Sequence, residues 1–125
     1  MSEVVLFKRS EIAFQPYGNS CNRATIAKLI GEDLSETMGG GLATFNGAPI
    51  TWTVLYDEVI VGITGEFRLG VDERTHVMGP GDVIWIPRGT EVRYEGEEAL
   101  VFYALYPVDW RAAGSGAPGA THTPT

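Results

Sequence analysis

The chain is poor in the residues that most metal sites and covalent cross-links require. Its 125 residues include one cysteine and two histidines. A single thiol cannot close an internal disulfide, and Cys21 has no second cysteine at the spacing of a redox or metal-binding pair. One histidine, His122, lies in a C-terminal stretch rich in small residues, which leaves His76 as the other imidazole. These shortages argue against a disulfide scaffold and against a histidine-rich metal centre.

Positive charge is also scarce. The 9 Lys and Arg residues are outnumbered by 16 Asp and Glu residues, and the formal net charge is −7. A chain of that charge is repelled by nucleic acid and by anionic lipids, so we expect neither as a partner. No apolar run approaches the roughly 20 residues that a membrane-spanning helix needs, and the N-terminus lacks a signal-peptide pattern. We therefore predict a cytoplasmic protein.

The composition divides the chain into three parts. Residues 111–125 are rich in Ala, Gly, Pro and Thr without an apolar period, which predicts a flexible tail. Residues 21–110 contain short runs of β-forming residues separated by turn signals. One of these signals, Asn46-Gly47, predicts a β-hairpin. The pattern predicts an all-β domain, preceded by an N-terminal extension over residues 1–20.

Several predicted strands are apolar on both faces. The runs VIVGI at 59–63 and LVFYALY at 100–106 show no alternation between apolar and charged positions. A strand that packs against a barrel core on one face then needs cover on the other face. We therefore predict a homodimer, in which a second copy supplies that cover.

Two spaced motifs resemble those of the cupin superfamily. The first is Glu58 followed by Gly65, and the second is Gly81 followed by Pro87 and Gly89. The resemblance implies a single cupin-type double-stranded β-helix, or jelly-roll, barrel with a short N-terminal extension. It also implies where metal ligands would stand. Two histidines would precede the glutamate, and a third would follow the last glycine of the second motif by three positions.

This chain has no histidine at those positions. The first pair would fall at Thr51 and Thr53, or at Trp52 and Val54, and the third would fall at Val92. A divalent transition metal needs three or four nitrogen, sulfur or carboxylate donors in one cage. The motif glutamate alone does not supply them. We therefore predict that the protein holds no metal and no other cofactor.

A longer resemblance covers about residues 38–110. The segments WTVLYDE, GPGD with IPRG, and YPVDW are similar to the cupin domain of the ethanolamine-utilisation protein Q family. That family also lacks the metal-binding histidines. The resemblance implies a role in ethanolamine breakdown in bacterial microcompartments, and an acetate kinase activity is attributed to the family. Longer members carry a further N-terminal region, which we expect this chain to lack.

Strand alternation predicts a candidate site inside the barrel. It places Trp52, Tyr56 and Glu58 on one face of the segment that leads into the first motif. The cupin resemblance implies that this face points inward. We expect the second motif to add Trp85 and Tyr94 to the same cavity. An aromatic pocket with one carboxylate is typical of a small-molecule site.

Glu58 and Tyr56 are the predicted catalytic residues. Burial without a cation raises the pKa of a carboxyl toward neutrality, where it can act as a general acid or base. Tyr56 can donate a hydrogen bond to Glu58 or to a developing oxyanion. An ionised Glu58 among aromatic rings can instead hold an organic ammonium. The predicted ligand-binding residues are Trp52, Thr51, Thr53, Trp85 and Tyr94.

Three functions remain open from the sequence. The first is a metal-independent cupin that binds a small polar or aminated metabolite in the barrel. The second is an enzyme that uses Glu58 for proton transfer, such as an isomerase or lyase, or the acetate-kinase-like phosphotransferase that the resemblance implies. The third is a non-catalytic scaffold or interaction subunit of a catabolic microcompartment, in which Glu58 and its aromatic neighbours are core residues.

Overall fold

The computed structural model describes residues 3–17, 23–47 and 49–113. Cys21 and His122 lie outside these ranges. The eight strands are β1 (Gln15–Pro16), β2 (Ala24–Ile30), β3 (Gly39–Phe45), β4 (Ile50–Thr53), β5 (Asp57–Val71), β6 (Arg74–Met78), β7 (Val83–Ile86) and β8 (Glu91–Tyr106). The helical segments in the described ranges are a 3-10 turn, Arg9–Glu11, and helix α1, Trp110–Ala113. Neither is long enough to cross a bilayer. The all-β prediction is confirmed.

The strands form one antiparallel sheet that folds around β5 and β8. These two long strands pair with each other from Asp57 and Tyr106 to Gly70 and Arg93. Strand β3 pairs with the C-terminal half of β8, and β7 pairs with the N-terminal half of β5. Strands β4 and β6 pair with the other halves of β8 and β5. Two half-sheets therefore share β5 and β8, and this is the predicted cupin-type jelly-roll barrel.

A glycine bulge bends β5 between the two half-sheets. The register between β5 and β8 shifts between Gly62 and Glu66. Gly65 has a φ of 72°, in the left-handed region that favours glycine. A Cβ at this position would overlap the carbonyl oxygen of Glu98. The glycine of the first motif is therefore required by the bend that closes the barrel.

The turn at Asn46-Gly47 does not form the predicted hairpin. Strands β3 and β4 flank it, but both pair with β8 and not with each other. Gly47 has a φ of 85°, and its backbone N–H donates to the carbonyl of Gly96. The turn carries the chain from one half-sheet to the other along β8. The dipeptide predicted the turn correctly but not the pairing of the strands beside it.

The hydrophobic core lies between the two half-sheets. Alternate side chains of β5 and β8 point into it, as the sequence pattern predicted. Apart from the aromatic residues, Glu58 is the one polar or charged residue that is buried within the described ranges, and 4% of its surface is exposed. The core includes Ile26, Phe45, Val54, Ile60, Phe67, Leu69, Val92, Val101 and Leu105.

The outer face of β5, β7 and β8 is also apolar. The register places Trp85 beside Val59, and Val83 beside Val61, which in turn pairs with Phe102. Trp85 is 59% exposed and Val83 is 63% exposed. The strands are therefore apolar on both faces, as predicted. The homodimer inferred from this pattern stays a prediction.

The ends of the described chain contribute to the barrel. Strand β1 pairs with β2, and Tyr17 is buried in the core. The boundary predicted at residue 20 lies outside the described residues. Trp110 is also buried in the core, and residues 111–113 continue α1. The remainder of the predicted tail, residues 114–125, lies outside the described part of the chain.

Candidate functional site

Glu58 is enclosed by the barrel core. It is the second residue of β5 and lies opposite Ile86 of β7 and Leu105 of β8. Its inward orientation agrees with the alternation of the sequence. Burial removes water from the carboxyl group and raises the pKa of Glu58 from 4.5 to about 8. At neutral pH the carboxyl therefore holds its proton most of the time.

Tyr94 donates a hydrogen bond to Glu58. Its hydroxyl oxygen lies 2.6 Å from Oε1 of Glu58, and both side chains are buried. The hydrogen bond favours the carboxylate and lowers the pKa of Glu58, which offsets part of the effect of burial. Burial, and then the charge of Glu58, raise the pKa of Tyr94 well above its ordinary value. Tyr94 is therefore a protonated donor at physiological pH.

A small cavity lies beside the Glu58 carboxyl. Its volume is about 10 Å³, which is room for about one water molecule. Aromatic rings line the cavity, but Tyr94 is the one predicted aromatic residue among them, and the space is enough for one small group. Besides Glu58, the lining residues are Tyr17, Ile26, Ala43, Phe45, Ile60, Tyr94, Val101 and Tyr103.

Trp52 and Tyr56 point inward as predicted and pack against Trp110. The ring centroids of Trp52 and Tyr56 are 5.6 Å apart, and those of Tyr56 and Trp110 are 5.2 Å apart. All three side chains are buried. The sequence suggested Tyr56 as the donor to Glu58, and the structure places Tyr94 in that role. A catalytic role for Tyr56 stays a prediction.

Three predicted ligand-binding residues do not lie beside Glu58. Thr51 and Thr53 are exposed on β4. Trp85 was expected inside the barrel, and this was wrong, because Ile84 and Ile86 are the inward-facing residues of β7. Alternation along one strand does not predict which residues of the next strand point inward. For β7, the pairing with β5 decides which face is buried.

Tyr103 also lines the cavity, although it was not among the predicted site residues. It lies on β8 opposite Gly41, and its hydroxyl is buried without a hydrogen-bond partner among the described residues. Burial, and then the charge of Glu58, raise the pKa of Tyr103 above its ordinary value. The alternation with Val101 and Leu105 on β8 is the signal that could have identified it.

The barrel does not offer the donor set of a metal site. The positions that the cupin resemblance gives to histidines carry exposed threonines, or the core residues Trp52, Val54 and Val92. Within the described ranges, no group of three or more His, Cys, Asp or Glu side chains is placed to hold an ion. Glu58 alone supplies one carboxylate. The described residues therefore do not fit a cupin-type metal cofactor.

Comparison with solved structures identifies the architecture as that of a cupin. The fold is similar to that of an ethanolamine utilization protein Q from Salmonella typhimurium LT2, with a TM-score of 0.76, 23% identity, and coverage of 82% of this chain and 85% of that chain. An RmlC-like cupin from Shewanella frigidimarina NCIMB 400 gives a TM-score of 0.68 at 17% identity, with coverage of 85% of this chain and 92% of that chain.

Comparison with known sequences identifies the family. The chain is 26% identical over 88 residues to acetate kinase EutQ of Escherichia coli (strain K12), and the match covers 70% of this chain and 38% of that protein. This chain thus spans well under half the length of that relative. The family model for ethanolamine utilisation protein EutQ matches residues 5–112. Because this match covers most of the sequence, the chain belongs to the ethanolamine utilisation protein EutQ family.

Proposed function

We propose that this chain is a cytoplasmic, metal-independent EutQ-family cupin that binds the polar or amino end of a small metabolite inside its barrel, at Glu58. The supporting observation is a carboxyl group buried in an apolar core and held by the Tyr94 hydroxyl at 2.6 Å. At neutral pH a buried carboxyl must either lose its hydration as a carboxylate or take up a proton well above its ordinary pKa, and both cost free energy that an apolar residue here would not. Ionisable groups that reduce stability in this way cluster at functional sites.

An amino group suits this site in charge and in size. The cavity beside Glu58 holds one group of about the size of a water molecule, which is also the size of an ammonium head. A bound ammonium would return Glu58 to its carboxylate form, because a neighbouring positive charge lowers the pKa of a carboxyl. The rings of Tyr17 and Phe45 line the cavity, and each can add a cation–π attraction of about 0.5–2 kcal/mol. Larger parts of a ligand require movement of the lining side chains.

The pKa of Glu58 supports proton transfer as a second candidate function. A carboxyl with a pKa of about 8 exchanges its proton near neutral pH, where general acid–base catalysis is most effective. Tyr94 is then the neighbouring donor that would stabilise a developing oxyanion. This chemistry fits an isomerase or lyase. The name of the E. coli relative, acetate kinase EutQ, adds a phosphotransferase as an alternative.

A thermal-shift screen of small amines, small acids and nucleotides tests the binding proposal. We expect ethanolamine or a related amine to raise the Tm of the wild type, because a ligand at 100 times its Kd adds about 2.7 kcal/mol of stability. Glu58→Gln should abolish this shift. Glu91→Gln, which removes an exposed carboxylate from β8, should retain it.

Two outcomes contradict the proposal. A screen with no ligand at millimolar concentration would leave the scaffold subunit of a microcompartment as the remaining alternative. Turnover of acetyl phosphate with ADP at a rate that Glu58→Gln does not change would place the chemistry away from Glu58.

A further inference from the structure

We infer that the edge of the barrel carries a second binding site, for the oxyanion of a small carboxylate or phosphate. A pocket of about 170 Å³ lies where the end of β2 meets the start of β3, the end of β8 and α1. We call it the edge pocket. It is separate from the cavity beside Glu58, although Tyr103 lines both. The inference goes beyond the proposed function and does not depend on Glu58.

Two positive side chains border the edge pocket. Lys28 lies near the end of β2, in register with Gly41, and follows Ile26 on the same face of the strand. Arg111 belongs to α1, and its guanidinium carbon lies 4.6 Å from the centre of the Trp110 ring. This chain has 9 Lys and Arg residues and a net charge of −7. The edge pocket therefore carries two positive side chains in a chain that is negative overall.

The charge of Arg111 acts on Lys28. Desolvation, and then the charge of Arg111, lower the pKa of Lys28. No described carboxylate lies within ion-pair distance of Lys28. Like charges that share a pocket repel each other, and a bound anion relieves that repulsion. This arrangement favours an anionic ligand.

The wall of the edge pocket adds a hydrogen-bond donor. Tyr103 lines the pocket, and its buried hydroxyl has no partner among the described residues. A Cβ at Gly41 would overlap the carbonyl oxygen of Ala27 and would stand 2.9 Å from this hydroxyl, so the glycine leaves room for both groups. An oxyanion accepts strong hydrogen bonds from phenol, ammonium and guanidinium groups. The wall therefore complements the charge of the two cations.

Glu32 also lines the edge pocket, and its carboxylate would repel an anion. The side chain is exposed in the turn that follows β2, where solvent and salt screen its charge. Glu32 therefore provides a test of whether the pocket prefers a negatively charged ligand. Glu32→Gln should strengthen the binding of an anion, whereas the loss of either cation should weaken it.

Titration of the full chain with sodium phosphate or sodium acetate at constant ionic strength tests the inference. We expect saturable NMR shifts of the Gly39 and Gly40 amides and of the Trp110 indole N–H, because all three residues line the pocket. Lys28→Gln should weaken binding about tenfold, the effect of losing one charge-assisted contact. Lys8→Gln removes the same charge from an exposed position and should leave the affinity unchanged.

The two anions distinguish the sources of the oxyanion. Saturation by phosphate alone identifies a phosphate ligand, and saturation by acetate alone identifies a carboxylate. Saturation by both anions supports a site that binds the oxyanion group whether a carboxylate or a phosphate carries it. The inference is overturned if neither anion gives saturable shifts at these residues, or if Lys28→Gln and Lys8→Gln weaken binding equally.

Discussion

The buried carboxyl predicts that the stability of this protein falls as the pH rises, and that Glu58→Gln removes much of this dependence. The pKa of Glu58 is about 8 in the folded protein against an ordinary value of 4.5. The folded state therefore binds more protons than the unfolded state between these two values. Its stabilising contribution is fully present below pH 4.5 and is lost as the pH rises through 8.

The expected magnitude follows from the difference between the two pKa values. Each pH unit between them changes the free energy of unfolding by about 1.4 kcal/mol. Between about pH 5 and pH 9 the loss is about 4 kcal/mol, a large part of the roughly 5–15 kcal/mol that a small domain possesses. In thermal unfolding this corresponds to a decrease in Tm of about 15 °C.

Urea unfolding of the wild type and Glu58→Gln near pH 5, pH 7 and pH 9 measures this effect. Glutamine is neutral at every pH and keeps an oxygen that accepts from Tyr94. We expect the variant to match the wild type near pH 5 and to exceed it by about 3–4 kcal/mol near pH 9. Glu91→Gln reports the contribution of an exposed carboxylate. Wild-type and Glu58→Gln profiles that stay parallel over the whole range would refute the reasoning.

Other changes test the glycine bulge of β5, the apolar outer face of the barrel and the absence of a metal site. Gly65→Ala should destabilise the protein by about 1–3 kcal/mol in urea, because its φ is positive and its Cβ would overlap backbone; Gly47→Ala, with open space at its Cβ, should cost less. Trp85→Glu should convert the predicted homodimer to a monomer by light scattering, whereas Val77→Glu, equally exposed on β6, should not. Elemental analysis after chelator-free purification should find no stoichiometric metal; stoichiometric zinc, iron, manganese or nickel would contradict the metal-independent proposal.

The parts of the structure that depend on local alternation were predictable from the sequence. Trp52, Tyr56 and Glu58 are all buried, as alternation predicted, although residues 54–56 lie between β4 and β5 and are not part of a strand. Trp85 was misplaced, because its orientation depends on how β7 pairs with β5 and not on the sequence of β7 alone. The same limit applies to Asn46-Gly47, where the turn was recognised but the partner strand was not.

The contacts of the candidate sites depend on residues that are distant in the sequence. Tyr94 of β8 contacts Glu58 of β5 only because these two strands each belong to both half-sheets. Lys28 and Arg111 come from opposite ends of the chain and meet at the edge pocket through β3 and β8. No local pattern predicts such a meeting, since strand order and register decide it.

The cost of burying Glu58 gives a way to separate function from structure at this position. If the carboxyl were a structural element of the core, a neutral replacement that keeps its hydrogen bond would have no effect beyond stability. If it binds or transfers protons, Glu58→Gln should be more stable than the wild type above neutral pH and yet lose its response to ligand. A gain in stability together with a loss of response would indicate that this fold retains an unfavourable buried acid because the acid acts on a ligand.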